Sequence, residues 1–210
     1  MKVLVACEFS GIVRAAFEQK GHDAWSCDLL PSEKQGNHIQ GNVLNILNNG
    51  WDLMIAHPPC TYLSNAGARH LFPKGELNQE RYKKGLESKR FFLHLLNAPI
   101  PKICVENPTP SSIFEMPRSS HYVQPFEFGH EFSKKTLLWL KNLPPLMPNA
   151  VVKNKSTYIP SGTSRYKHTE KNKSKQLTCH QQGIEIHFLK VLLLQWLTNG
   201  ANKCSENCHN

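Results

Sequence analysis

The residues best suited to chemistry stand just past short apolar runs. After the run at 51–56 comes His57-Pro58-Pro59-Cys60-Thr61, where two prolines fix a rigid, non-helical turn and hold the cysteine at its end. A cysteine presented this way suits nucleophilic attack, the alternative being a small buried hydrophobe. After the run at 102–105 comes Glu106-Asn107-Pro108. A carboxylate at the end of an apolar strand must either find donors or stay protonated, and a protonated carboxyl is what a general acid needs. The alternative is a cap on the following turn, although Asn107 and Pro108 already supply turn chemistry there. The first apolar run ends in Cys7-Glu8-Phe9-Ser10-Gly11, a small-residue turn that opens a helix and lets backbone approach a ligand. Asp28 ends the second run, placed to accept hydrogen bonds from ribose hydroxyls. The turn and the acid together point to a nucleoside cofactor.

These residues need a scaffold, and the pattern of the chain supplies one. Residues 2–7 form a Val-rich strand; Ser10-Gly11 turns it into a helix carrying Ile12, Ala15, Ala16 and Phe17, and Gly21-His22-Asp23 ends that helix. Further strands are expected at 24–27, 51–56, 102–105 and 136–140, with a helix at 78–96 whose apolar side holds Phe91, Phe92, Leu95 and Leu96. Pro144, Pro145 and Pro148 then end regular structure. Strands alternating with helices imply an α/β fold with a doubly wound, mostly parallel, Rossmann-like sheet, in which ligands bind at the carboxyl ends of the strands.

At these residues the chain resembles the carbon-5 cytosine methyltransferase family, and in particular its compact, phage-type members. The resemblance runs from residue 1 to about 148. It is carried by EFSGIVRAAF, Asp28, GNVLNIL, DLMIAHPPCTYLSNAG, VENP and FGHEFSKKTLLWL, in that order. It implies an S-adenosylmethionine-dependent methyltransferase fold and methyl transfer to carbon 5 of cytosine in DNA, single- or double-stranded. Cys60, presented by Pro59, would add to carbon 6 of the ring; Glu106, protonated, would hold ring nitrogen 3 and the exocyclic amine; Asn107 would brace the Pro58-Pro59-Cys60 loop. Cys7, Glu8, Phe9, Ser10, Gly11, Asp28, Asn42, Val43, His57 and Pro58 would form the cofactor site. Lys134 and Lys135 would favour the thiolate and contact nucleic acid. The chain departs from the larger members at Thr61, Pro108, Asn42 and Ser133-Lys134-Lys135, and it has about thirty residues where they carry a separate target-recognition domain. Low site specificity, a preference for single strands, or a partner are the expected consequences. Two rivals remain: an amino-methylating enzyme, which Pro58-Pro59 partly matches although Cys60 replaces its aromatic residue, and a nucleic-acid-binding module that keeps the fold without catalysis.

At 210 residues the chain fits one domain, and no run of about 18 apolar residues or signal layout is present, so a cytoplasmic protein without a membrane span is expected. Seven cysteines, an odd number set mostly singly in apolar runs, argue against a secreted disulfide framework. Cys179, His180, Cys204, Cys208 and His209 are too loosely spaced to read as a zinc site, so no metal is expected. Trp25, Trp51, Trp139 and Trp196 sit in apolar runs as core residues. A net charge of +9 favours a polyanionic partner. The charge concentrates in Lys153, Lys155, Arg165, Lys167, Lys171, Lys173 and Lys175 against the single acid Glu170, a phosphate-binding strip or else a solvated loop. The organisation is thus a catalytic core at 1–148, a basic loop at 149–182, and a C-terminal helix and tail at 183–210. The last segment does not match the small-residue helix that the resemblance implies. Codon degeneracy permits one nucleotide sequence to encode HFLKVLLLQWLTNG and, displaced by two nucleotides, FFKGIAIAMANKWG, so a shifted reading frame is expected there.

Overall fold

The central strands are apolar on both faces, as parallel strands covered by helices must be. β1 (Lys2–Ala6) sends Val3 and Val5 into one core and Leu4 and Ala6 into the other. The strand Leu53–Ala56 divides Leu53 and Ile55 from Met54 and Ala56 in the same way. This computed structural model describes residues 1–153. The remaining elements are α1 (Ile12–Glu18), β2 (Asp23–Asp28), β3 (His38–Gln40), β4 (the Leu53–Ala56 strand), α2 (Ala68–Leu71), α3 (Gln79–Leu96), β5 (Lys102–Pro108), β6 (His121–Val123) and β7 (Thr136–Lys141).

The strands form one seven-stranded sheet in the order β3-β2-β1-β4-β5-β7-β6. β1 to β5 pair in parallel, and β7 runs antiparallel to both its neighbours. Val13 and Phe17 of α1 pack on the side of Val3 and Val5, whereas Phe92 and Leu95 of α3 pack on the side of Leu4 and Ala6. The sheet is therefore wound on both faces, the Rossmann-like α/β arrangement expected from the sequence. Trp51 and Trp139 are core residues, and Trp139 meets Phe92 edge-on at 4.9 Å.

Boundaries moved where pairing overrides local signals. β5 continues through Asn107 and Pro108, opposite Leu137 and Thr136 of β7, so the turn expected at those two residues falls instead beyond Pro108. A proline fits there because it ends the strand. Asn78 caps α3 by accepting a hydrogen bond from the Arg81 backbone N–H at 3.0 Å. β3 and β6, three residues each, and α2 carry too little periodicity to be anticipated. Among the described residues no helix is long and apolar enough to cross a membrane. Most of the expected basic loop and the whole segment from 183 onward, including the sequence for which a shifted frame is expected, lie outside the described residues.

Candidate active site

At the carboxyl end of β1 the chain turns sharply. Cys7 takes a left-handed conformation, φ 60°, uncommon for a residue with a side chain, and the N–H groups of Cys7 and Glu8 both donate to the Cys27 carbonyl, at 2.8 and 3.2 Å. The buried Glu8 carboxylate is directed at the start of α1. It accepts from the Val13 N–H at 2.7 Å, the Arg14 N–H at 3.2 Å and the Ser10 hydroxyl at 3.1 Å. Glu8 and Ser10 thus satisfy the first turn of the helix, work that Gly11 has no side chain to do. Gly11 itself is required by its φ of 65° and by crowding, since a Cβ there would stand 2.6 Å from the Arg14 guanidinium. Phe9 is half-buried, and its carbonyl accepts from the Glu33 N–H at 2.8 Å.

Beside this turn lies a cleft of about 270 Å³ lined by Cys7, Cys27, Asp28, Leu29, Gly41, Asn42, Val43, Pro59 and Phe91. It gathers five of the residues anticipated for a cofactor or catalytic loop (Cys7, Asp28, Asn42, Val43 and Pro59) and adds Cys27, Leu29, Gly41 and Phe91. Phe91 was legible only as part of the apolar side of a helix, and Gly41 only as the start of GNVLNIL. One carboxylate oxygen of Asp28 accepts from the Leu30 N–H at 3.0 Å, and Asn42 caps the 3₁₀ turn that follows it by accepting from the Leu44 N–H at 3.0 Å. With one acid and walls of Leu29, Val43 and Phe91, the lining fits a nucleoside: apolar surface for a base and an acceptor for sugar hydroxyls.

Burial, and then the nearby Asp28 charge, raise the thiols of Cys7 to about 12 and Cys27 to about 11. Burial, reinforced by Glu106, also raises that of Cys104. All three therefore stay protonated at neutral pH and serve as apolar packing. Cys60, half-buried after the buried Pro58 and the exposed Pro59, is the remaining cysteine among the described residues.

β4 and β5 bring the two catalytic candidates to one edge. Ala56 pairs with Val105, so His57 and Glu106 are the next residues in register. Their side chains meet, His57 Nδ1 standing 3.4 Å from Glu106 Oε1, with only 9% and 11% of the two side chains exposed. Glu106 Oε2 is buried without a hydrogen-bond partner. The loop after Cys60 is held by backbone bonds: the Cys60 carbonyl accepts from Leu63 and Ser64, Ser111 donates to Leu63, and Asn65 donates to Thr109. Arg81 of α3 adds a bond from Nη2 to the Thr61 carbonyl at 2.7 Å. Asn107 makes no hydrogen bond to the Pro58-Pro59-Cys60 loop; both polar atoms of its side-chain amide are buried with no hydrogen-bond partner.

Thr136 at the start of β7 pairs with Pro108, which puts Lys134 and Lys135 at the same edge of the sheet as Glu106. Lys135 Nζ lies 4.9 Å from the ring centroid of Tyr122. Lys153, exposed, is the last described residue, and Lys155, Arg165, Lys167, Lys171 and Lys173 lie outside the described residues.

No known family model matches the chain, and no curated protein matches it. Among solved structures, a chain assigned as a DNA modification methyltransferase encoded within a prophage of E. coli is similar at 14% identity and a TM-score of 0.41, with 71% of this chain and 51% of that one covered. The chain thus spans about half the length of that solved structure.

Proposed function

We propose that this protein is an S-adenosylmethionine-dependent methyltransferase that acts on carbon 5 of cytosine in DNA. The observation that carries this reading is the shared edge of the sheet. A nucleoside-sized cleft with Asp28 at its wall ends at Pro59, one residue before Cys60, while Glu106 stands beside His57 at the end of the next strand. The cofactor, when bound, supplies an electrophilic methyl group. Asp28 accepts from the sugar hydroxyls, and Leu29, Val43 and Phe91 hold the base. Cys60 sulfur bonds to carbon 6 of the cytosine ring, which makes carbon 5 nucleophilic. Glu106 gives its proton to ring nitrogen 3 as that bond forms and takes it back once carbon 5 is methylated; carbon 5 then gives its proton to solvent water as the sulfur leaves.

The test is incubation with labelled cofactor and DNA, followed by nucleoside analysis. Label in 5-methylcytosine supports the reading; label only in an exocyclic amine, or none, overturns it. Cys60→Ser should abolish transfer while leaving cofactor affinity within a few-fold, because a hydroxyl is a far weaker nucleophile at neutral pH. Asp28→Ala should weaken cofactor binding by about tenfold or more, the worth of a hydrogen bond to a charged group, as measured by calorimetry.

A further inference from the structure

We infer that His57 is a positioning residue for Glu106, holding the carboxyl through Oε1 and stabilising the carboxylate that remains when Oε2 gives up its proton. The inference rests on the proposed cytosine chemistry and assigns a role that neither Cys60 nor Glu106 can fill. The two oxygens of Glu106 are unequal. Oε1 stands 3.4 Å from His57 Nδ1, and Oε2 is buried with no hydrogen-bond partner, the oxygen left for a substrate. The juxtaposition is built into the sheet, since both residues are the first beyond the paired Ala56 and Val105 of two parallel neighbours. His57 is further fixed by its backbone N–H, which donates to the Ala6 carbonyl at 2.9 Å.

As Cys60 sulfur bonds to carbon 6, the ring electrons move toward nitrogen 3, which takes the Oε2 proton. The charge left on Glu106 in a buried site is costly unless compensated, and an imidazolium at Oε1 compensates it. Carbon 5 then bonds to the methyl carbon as the methyl–sulfonium bond breaks, and nitrogen 3 returns its proton to Oε2; on elimination carbon 5 gives its proton to solvent water, the sulfur–carbon bond breaks, and His57 ends as it began. Cys104 on β5 stays protonated, Glu8 is spent on the start of α1, and Arg14 is engaged with backbone carbonyls. Leu138, opposite Glu106 on β7, is apolar. Cys60 must itself ionise, which sets the acid limb of the rate profile.

Two measurements test this. Single-turnover methyl transfer across pH 5.5–9.5 should show, for the native protein, an alkaline limb as the imidazolium is lost. His57→Asn keeps a donor near the position of Nδ1 but cannot titrate. It should react about tenfold more slowly at pH 7 and lack that limb, while a cooperative thermal transition shows that it folds. A native-like pH profile in His57→Asn overturns the inference and leaves the proposed function standing. Independently of activity, the His57 resonance in labelled protein, identified by its loss in His57→Asn, should titrate at a different pH in Glu106→Gln, because the carboxyl that faces Nδ1 has gone. An identical titration also overturns the inference. A shifted titration in a native protein that transfers no methyl group to cytosine overturns the proposed function instead, and the catalytic use of the pair with it.

Discussion

Cys7 and Cys27 show how a site can hold reactive side chains without using them. Burial and Asp28 raise both thiols, from an ordinary 9.0 to about 12 and about 11, so neither competes as a nucleophile at neutral pH. The same shifts make stability depend on pH. In the unfolded chain the thiols ionise near 9 and in the folded protein only at the raised values. Their contribution is therefore fully present below pH 9 and is lost as pH rises from 9 towards 11 and 12. For Cys7, half-buried at the cleft, the loss should stay below about 1.4 kcal/mol per pH unit in that window. Thermal unfolding followed from pH 8 to 11 should fall in midpoint, and Cys7→Ala should show a shallower fall than the native protein. Equal slopes would mean that Cys7 is more hydrated than its position implies.

Among the elements, α3 and α1 each carry a residue that sets the loops of the site. Gly85 of α3 lies under Phe114, where a Cβ would stand 2.2 Å from the ring. That ring is fully buried and stacked on Tyr82 at 5.7 Å, so it cannot retreat. Alanine gains about 1 kcal/mol in helix propensity but overpacking costs about 1–3 kcal/mol, so Gly85→Ala should destabilise in chemical denaturation. Stabilisation would show that Phe114 can move. Arg14 of α1, 0% exposed, donates through Nη2 to the Lys34 and Gln35 carbonyls at 3.0 and 2.9 Å and so pins the β2–β3 connection to the helix. Gly36 is part of the same arrangement, since a Cβ there would overlap the guanidinium. Arg14→Met should cost about 2–3 kcal/mol, from two orphaned carbonyls, and loosen the connection next to Asp28. Urea denaturation measures the first effect and cofactor calorimetry the second; loss of neither would mean that the connection is held elsewhere.

Across the whole molecule, a net charge of +9 matters for association rather than for fold. If DNA is the substrate, each phosphate neutralised should add about 0.9 to the log–log slope of affinity against salt on duplex, and about 0.7 on single strands. Lys134 and Lys135 stand at the edge of the sheet that holds Glu106, so reversing both to Glu should lower the slope by about two contacts. A slope unchanged by that reversal would move the phosphate path away from β7. The same titration on duplex and single strands measures which form of DNA is preferred.

What the sequence determined by itself is the set of strands and the chemistry at their ends. β1, β4, β5 and β7 are near-continuous apolar runs because both faces of a covered sheet are buried, and that pattern is local. The proline-fixed Cys60 and Asp28 at the end of β2 were legible for the same reason: each depends on its immediate neighbours. Other features belong to the tertiary structure because they depend on residues distant in the chain. Pro108 stays in a strand because β7 lies opposite, and three-residue β3 and β6 exist through their partners. Phe91 reaches the cleft only because α3 packs across the sheet. His57 finds Glu106 only because β4 and β5 align Ala56 with Val105, a register set by the packing of two cores and by nothing within either segment.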